Sequence, residues 1–328
     1  MGELRLEEWR NLPAAETARL YARERARWLE ALHWESTPSW AIVEAAREAG
    51  QLPGFVARAA GDELQGWTFF LVRGGTLQVG ALVGDRADIV RGLLDAVLAS
   101  PEADLARRYQ CFVFPESGSV QVALERRRFA VEHYLYLERS LGTDASLDER
   151  LEARAWREAD LPEAVRLLAR AYAGTGSARC FAPDGRLDEW TTYLGQLVRT
   201  EACGRFVPDE SFSLDRPGGL GGVILATRLD PATSHIAQIA IDPSSRRQGR
   251  ARALVAAATR AARERGAERQ TLLVASANAA ARALYDQLGF RERGRFIFAE
   301  RDRITRTVAR TSEPSSRDET PHRARLTA

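Results

Sequence analysis

Apolar positions along the first 140 residues change their period in a fixed order. Alternation over Leu4 to Trp9 predicts a short strand. Pro13 then opens the segment A-A-E-T-A-R-L-Y-A-R-E-R-A-R-W-L-E-A-L, whose apolar residues recur at helical spacing. A second helix starts near Thr37-Pro38, with the threonine as N-cap, and ends at Gly50. The runs G-F-V-A-R-A, G-W-T-F-F-L-V-R and T-L-Q-V-G-A-L-V, separated by A-G-D-E and Gly74-Gly75, predict a three-strand meander. Asp88 caps a third helix, R-Y-Q-C-F-V-F is a strand and Val120 to Arg128 a short helix. F-A-V-E-H-Y-L-Y-L closes the half as one strand or a pair.

The second half repeats that order after a polar connector, Thr143 to Glu149. It begins with a strand near Leu151 and a helix capped by Asp160, with Pro162 where its missing N–H costs little. A loop over Gly174 to Pro183 leads to a helix over Leu187 to Arg199. Next come a hairpin turning at Arg216 to Gly219, a fourth strand from Ser234 to Ile241 and a helix from Arg250 to Arg265. T-L-L-V-A-S is a fifth strand, Asn278 caps a last helix, and Gly289-Phe290 leads to the final strands. The halves align when Phe290 is set on Phe129, which is an internal repeat. Tyr285 then falls on Leu124, Gly289 on Arg128 and Asn278 on Ser117, so only the second copy carries the hydroxyl.

Between the fourth strand and the next helix stands I-A-I-D-P-S-S-R-R-Q-G-R-A, Ile239 to Ala251. A strand running through a Gly-containing loop into a helix N-terminus makes an anion site, because the first helical N–H groups have no internal partner. Gly249 lets the backbone approach a ligand, and Arg246, Arg247, Arg250 and Arg252 add positive charge, as a diphosphate requires. The first copy has only G-D-R-A-D at this point.

Arg246, Gly249 and Ala251 resemble motif A, Q/R-x-x-G-x-G/A, of the GCN5-related N-acetyltransferases, the GNAT family. The resemblance implies an α/β fold of two tandem GNAT-like domains, each a mixed, largely antiparallel sheet flanked by helices. It sets a first domain at 1–142 without a coenzyme site, a catalytic domain at 150–304 and a disordered tail at 305–328. Such a two-copy layout is similar to that of the mycothiol synthases. The co-substrate implied is acetyl-CoA, held by the amides and side chains of Ile239, Ala240, Ile241, Arg246, Arg247, Gln248, Gly249, Arg250 and Ala251, with Asn278 as a further contact. Tyr285 stands in the slot of the family's general acid.

Acetyl transfer to an amine also needs a polarised carbonyl and a neutral nucleophile. Amides freed at a bulge or splay around Ile239 to Ile241 can serve the first. His235, on the same strand, is the candidate base, with Asp209 and Glu210 as rival bases or anchors for a cationic acceptor. The expected reaction moves an acetyl group to a primary amine of a small molecule or peptide, and the alternative is a non-catalytic acyl-CoA-binding module.

Composition narrows the partners. The chain has 328 residues, 45% apolar and 28% charged, as a soluble globular protein of two cores requires. A net charge of +2 argues against a dedicated nucleic-acid binder, and no apolar run approaches a membrane span. Every basic residue is arginine. The three cysteines, Cys111, Cys180 and Cys203, lack metal-ligand spacing, so no metal and a reduced cytoplasmic compartment are expected, for a monomer or homodimer.

Overall fold

The structure, a computed structural model, describes residues 4–59, 63–142, 153–200 and 203–303. The expected connector at Thr143 to Glu149 and the expected tail from 305 lie outside these residues. In the first half the elements are β1 (Arg5–Glu8), α1 (Ala14–Leu32), α2 (Thr37–Glu48), β2 (Gly54–Arg58), β3 (Leu64–Arg73), β4 (Thr76–Gly84), α3 (Ala87–Ala99), β5 (Arg108–Val113), α4 (Ser119–Arg126) and β6 (Ala130–Ser140). The second half has β7 (Arg154–Ala155), α5 (Leu161–Tyr172), α6 (Leu187–Arg199), β8 (Arg205–Phe206), β9 (Phe212–Arg216), β10 (Gly219–Asp230), β11 (Thr233–Ile241), α7 (Arg250–Glu264), β12 (Arg269–Ala275), α8 (Ala279–Gln287) and β13 (Arg291–Asp302). No described helix is long and apolar enough to cross a membrane.

All strands among the described residues join one sheet, in the order β1-β2-β3-β4-β5-β13-β6-β12-β11-β10-β9-β7, with β8 against β10. Helices α3, α4, α7 and α8 cover one face, where Ile89, Leu93, Leu124, Leu254, Val255 and Leu288 are buried. Helices α1, α2, α5 and α6 cover the other, burying Leu20, Leu32, Leu168, Trp190 and Leu194. Covered on both sides, β3, β4 and β10 run almost continuously buried rather than alternating.

The mixed sheets expected of the two halves join in the middle of the molecule. Each half ends in a single long strand, not a pair, and each last strand crosses to the other half. β13 lies between β5 and β6, pairing Ile297 with Val113 and Phe296 with Tyr134. β6 in turn pairs along β12, from Arg269–Ser140 to Ala275–Tyr134. The fifth strand of each half is therefore completed by the other half's last strand.

Candidate active site

β11 leaves β12 part-way along its length. The parallel pairing runs from Thr233–Arg269 to Ile236–Leu272 and stops, while β12 continues to Ala275 and β11 continues along β10 to Ile241. The register against β10 slips by one at Ala237, a bulge that turns the strand away. The splay expected around Ile239 to Ile241 thus begins at Ala237.

Inside the splay the Ile239 N–H meets the Gln238 side-chain oxygen at 3.1 Å. The Tyr172 hydroxyl donates to the same oxygen at 2.7 Å. The Ile239 N–H is thus met by a side-chain oxygen rather than by a strand carbonyl. Neither Gln238 nor Tyr172 was singled out from sequence. The signal was there: one glutamine inside the run S-H-I-A-Q-I-A-I.

Beyond β11 the chain makes a tight turn. Asp242 is buried, accepts from Ser244 N–H at 3.0 Å and meets Arg170 and Arg216, both at 3.1 Å. Burial pushes its carboxyl up, but the bonds from Ser244 and Arg170 outweigh that and hold it below its ordinary range. Arg247 at φ 61 and Gly249 at φ 76 adopt the left-handed conformation, and α7 begins at once. Among the described residues, no amide from Arg247 to Arg252 has an acceptor in the chain, and nothing lies within 4 Å of where a Gly249 Cβ would stand. Arg246, Arg247, Arg250 and Arg252 have no carboxylate partner among the described residues, whereas arginines elsewhere are widely ion-paired. Arg246 reaches the Ala171 carbonyl at 2.7 Å, which ties the loop to α5. A strong local positive field follows, open to solvent.

Tyr285 sits on α8, buried against Phe290 with ring centroids 5.7 Å apart. Its hydroxyl has no hydrogen-bond partner among the described residues, and burial raises its pKa, so it keeps its proton at neutral pH. Burial raises Tyr172 as well, and negative charge on Tyr285 adds to that, so the two phenols lie in electrostatic range. Asn278 caps α8 through its side-chain oxygen, 3.1 Å from Ala281 N.

The rival acceptor residues do not join this site. Glu210 is fully buried, bonded to Arg228 Nε at 2.8 Å and to the Ser234 hydroxyl at 2.8 Å. Arg228 also donates to the carbonyls of Ala262 and Arg265, so the pair ties down the C-terminal end of α7. That end is about 20 Å of helix from the Gly249 loop. Asp209 faces Arg265 at the same end. The reading of Glu210 as a base or amine anchor is corrected, because its carboxylate holds a helix end, and Asp209 lies exposed beside it. His235 is buried between Trp34 and Tyr136, bonded to the Thr271 hydroxyl at 2.9 Å, on the sheet face opposite α8. Burial holds its pKa down to about 3, so it cannot take a proton from an ammonium at neutral pH. The base role is corrected too.

The first half repeats the divergence, its parallel β4–β5 pairing running from Thr76–Arg108 to Val79–Cys111 and stopping, but its surroundings differ. Its β4 bulges at Gly80, where the Phe69 ring fills the space a Cβ would need, and Trp9 and Trp67 stack alongside. At the end of β4, Ile89 and Val90 pack on Gly84, and Asp88 places an acid in the first turn of α3.

Residues 161–290 match the model of the Acetyltransferase (GNAT) family. That match lies within the second half. The whole chain is similar to a GCN5-related N-acetyltransferase from Sphaerobacter thermophilus, at 18% identity and a TM-score of 0.65 over 91% of this chain and 95% of that one. It is also similar to a tandem GNAT protein from the clavulanic acid biosynthesis pathway, at 16% identity and a TM-score of 0.57 over 92% and 98% of the two chains. A fungal glucosamine N-acetyltransferase region within a multi-domain β-N-acetylglucosaminidase gives 12% identity and a TM-score of 0.63, over 92% of this chain and 38% of that one. No curated protein matches. The fold is like that of the tandem GNAT protein, with one mixed sheet flanked by helices running through both halves.

Proposed function

We propose that the second half is an acetyl-CoA-dependent N-acetyltransferase acting on a primary amine, and that the first half carries no coenzyme. The observation that carries this is the open run of unpaired amides from Arg247 to Arg252 around left-handed Gly249, ringed by arginines without carboxylate partners. Bound there, acetyl-CoA supplies an acetyl group activated as a thioester. The loop amides and Arg246, Arg247 and Arg250 hold its diphosphate, and the bare edge of β11 from Ala237 receives the pantetheine arm. The Ile239 N–H exchanges the Gln238 oxygen for the thioester carbonyl and polarises it. The amine then forms the new C–N bond as the C–S bond breaks. Tyr285 gives its proton to the departing sulfur, and the proton shed by the nitrogen passes to water.

An acceptor screen against acetyl-CoA, followed by release of free thiol, tests this reading. Turnover of an amine by the wild-type chain, with Gly249→Asp abolishing both turnover and coenzyme binding, is the expected result. Binding of acetyl-CoA without turnover of any amine would leave a coenzyme-binding module and overturn the transferase.

A further inference from the structure

The exchange of last strands carries side chains of the first half into the second half's cleft. β6 runs beside β12, and Tyr134 is paired with Ala275 where β12 ends next to the splay. The Tyr134 hydroxyl donates to the Ser177 carbonyl at 3.1 Å, and Cys180 Sγ approaches that hydroxyl at 3.4 Å. So the loop after α5 rests on a strand of the other copy. Two residues before Tyr134, on the same face of β6, stands Glu132. Its Oε1 lies 3.2 Å from where a Cβ on Gly176 would be, so the carboxylate points at this loop.

Glu132 differs from most acids in this arginine-rich protein. It is exposed, and among the described residues it has neither an ion pair nor a hydrogen bond. The neighbouring arginine on the loop, Arg179, is taken by Glu300. Glu132 is also linked to the reaction centre through few groups. Cys180 is pushed up to about 12 by burial, with the charge of Glu132 adding to it. Tyr172, besides its burial, feels both Tyr285 and Cys180.

Resting on the transferase reading above, we propose that Glu132 of the first half receives the cationic amine of the acceptor, so that the active site is built by both copies. The substrate class is then an alkyl amine carrying positive charge at neutral pH, drawn to the rim as a cation before it loses a proton and attacks.

The test compares wild type, Glu132→Gln and Glu132→Asp, with alkyl amines and with hydroxylamine, which is uncharged at pH 7, as acceptors. Glu132→Gln is expected to raise KM for alkyl amines about tenfold or more, with kcat and acetyl-CoA affinity held within about twofold. Hydroxylamine kinetics stay unchanged, and Glu132→Asp recovers part of the loss. An unchanged KM for alkyl amines, or equal losses for alkyl amines and hydroxylamine, overturns the role of Glu132 and leaves the transferase standing. A wild-type chain that acetylates no amine removes the transferase reading and this inference with it.

Discussion

Tyr285 packs against Phe290 on one side and keeps its hydroxyl free on the other, a combination that separates chemistry from packing. Tyr285→Phe retains the ring contact and removes only the proton. It is expected to lower kcat by about tenfold or more with coenzyme affinity unchanged, as steady-state kinetics and calorimetric binding would register. His235 makes a different prediction, about acid stability. Its pKa is about 3 when folded and returns toward 6.5 when unfolded, so between these values the unfolded chain binds the extra proton. Stability from the buried neutral ring is present above pH 6.5 and is lost as pH falls toward 3, with a slope of up to about 1.4 kcal/mol per pH unit. His235→Gln should flatten that acid limb in urea titrations, and an unchanged slope would show that the ring is not held neutral. Sequence gave Tyr285 its place through the repeat, because a hydroxyl missing from one of two copies is visible without coordinates. It misplaced His235, since alternation along a strand does not tell which face a large aromatic neighbour such as Trp34 will cover.

Helix α7 shows how one element carries two unlike ends. Its start is an open left-handed glycine with bare amides; its finish is clamped by the buried pair Glu210–Arg228. Removing one partner of such a pair strands the other charge. Glu210→Gln should therefore destabilise the fold by about 3–5 kcal/mol, read as a lower urea midpoint, while leaving the coenzyme loop formed. A loss well below 1 kcal/mol would mean that water reaches the pair. The start of α7 was legible because glycine before a helical period, after Asp-Pro, has few other uses. The finish was not, because Asp209 and Glu210 at the start of a hairpin read as bases or amine anchors, and nothing local announces an arginine 18 residues later on β10. The bulge at Ala237 was also hidden, since alanine carries no mark of an unpaired backbone position.

At the scale of the whole molecule, elements were legible and partners were not. Period and turn residues placed nearly every strand and helix, but strand alternation is the same whichever neighbour a strand takes, so the crossing of β6 and β13 could not be read. That crossing binds the halves into one folding unit. Thermal unfolding is expected as a single transition, and a fragment 1–142 should aggregate alone, because β5 and β6 would face water where β13 belongs. Mixing it with fragment 143–328 should restore acetyl-CoA binding. A soluble, monomeric 143–328 fragment that binds as tightly as the intact chain would contradict this coupling. There is also a consequence for synthesis. β5 emerges early from the ribosome, yet its neighbour β13 is translated only after 177 further residues, a wait on the order of ten seconds or more at ordinary elongation rates. Through that interval the nascent chain carries an unzipped seam, and chaperone capture of stalled products ending before residue 291 is where this ancestry of two fused copies would be felt by the cell.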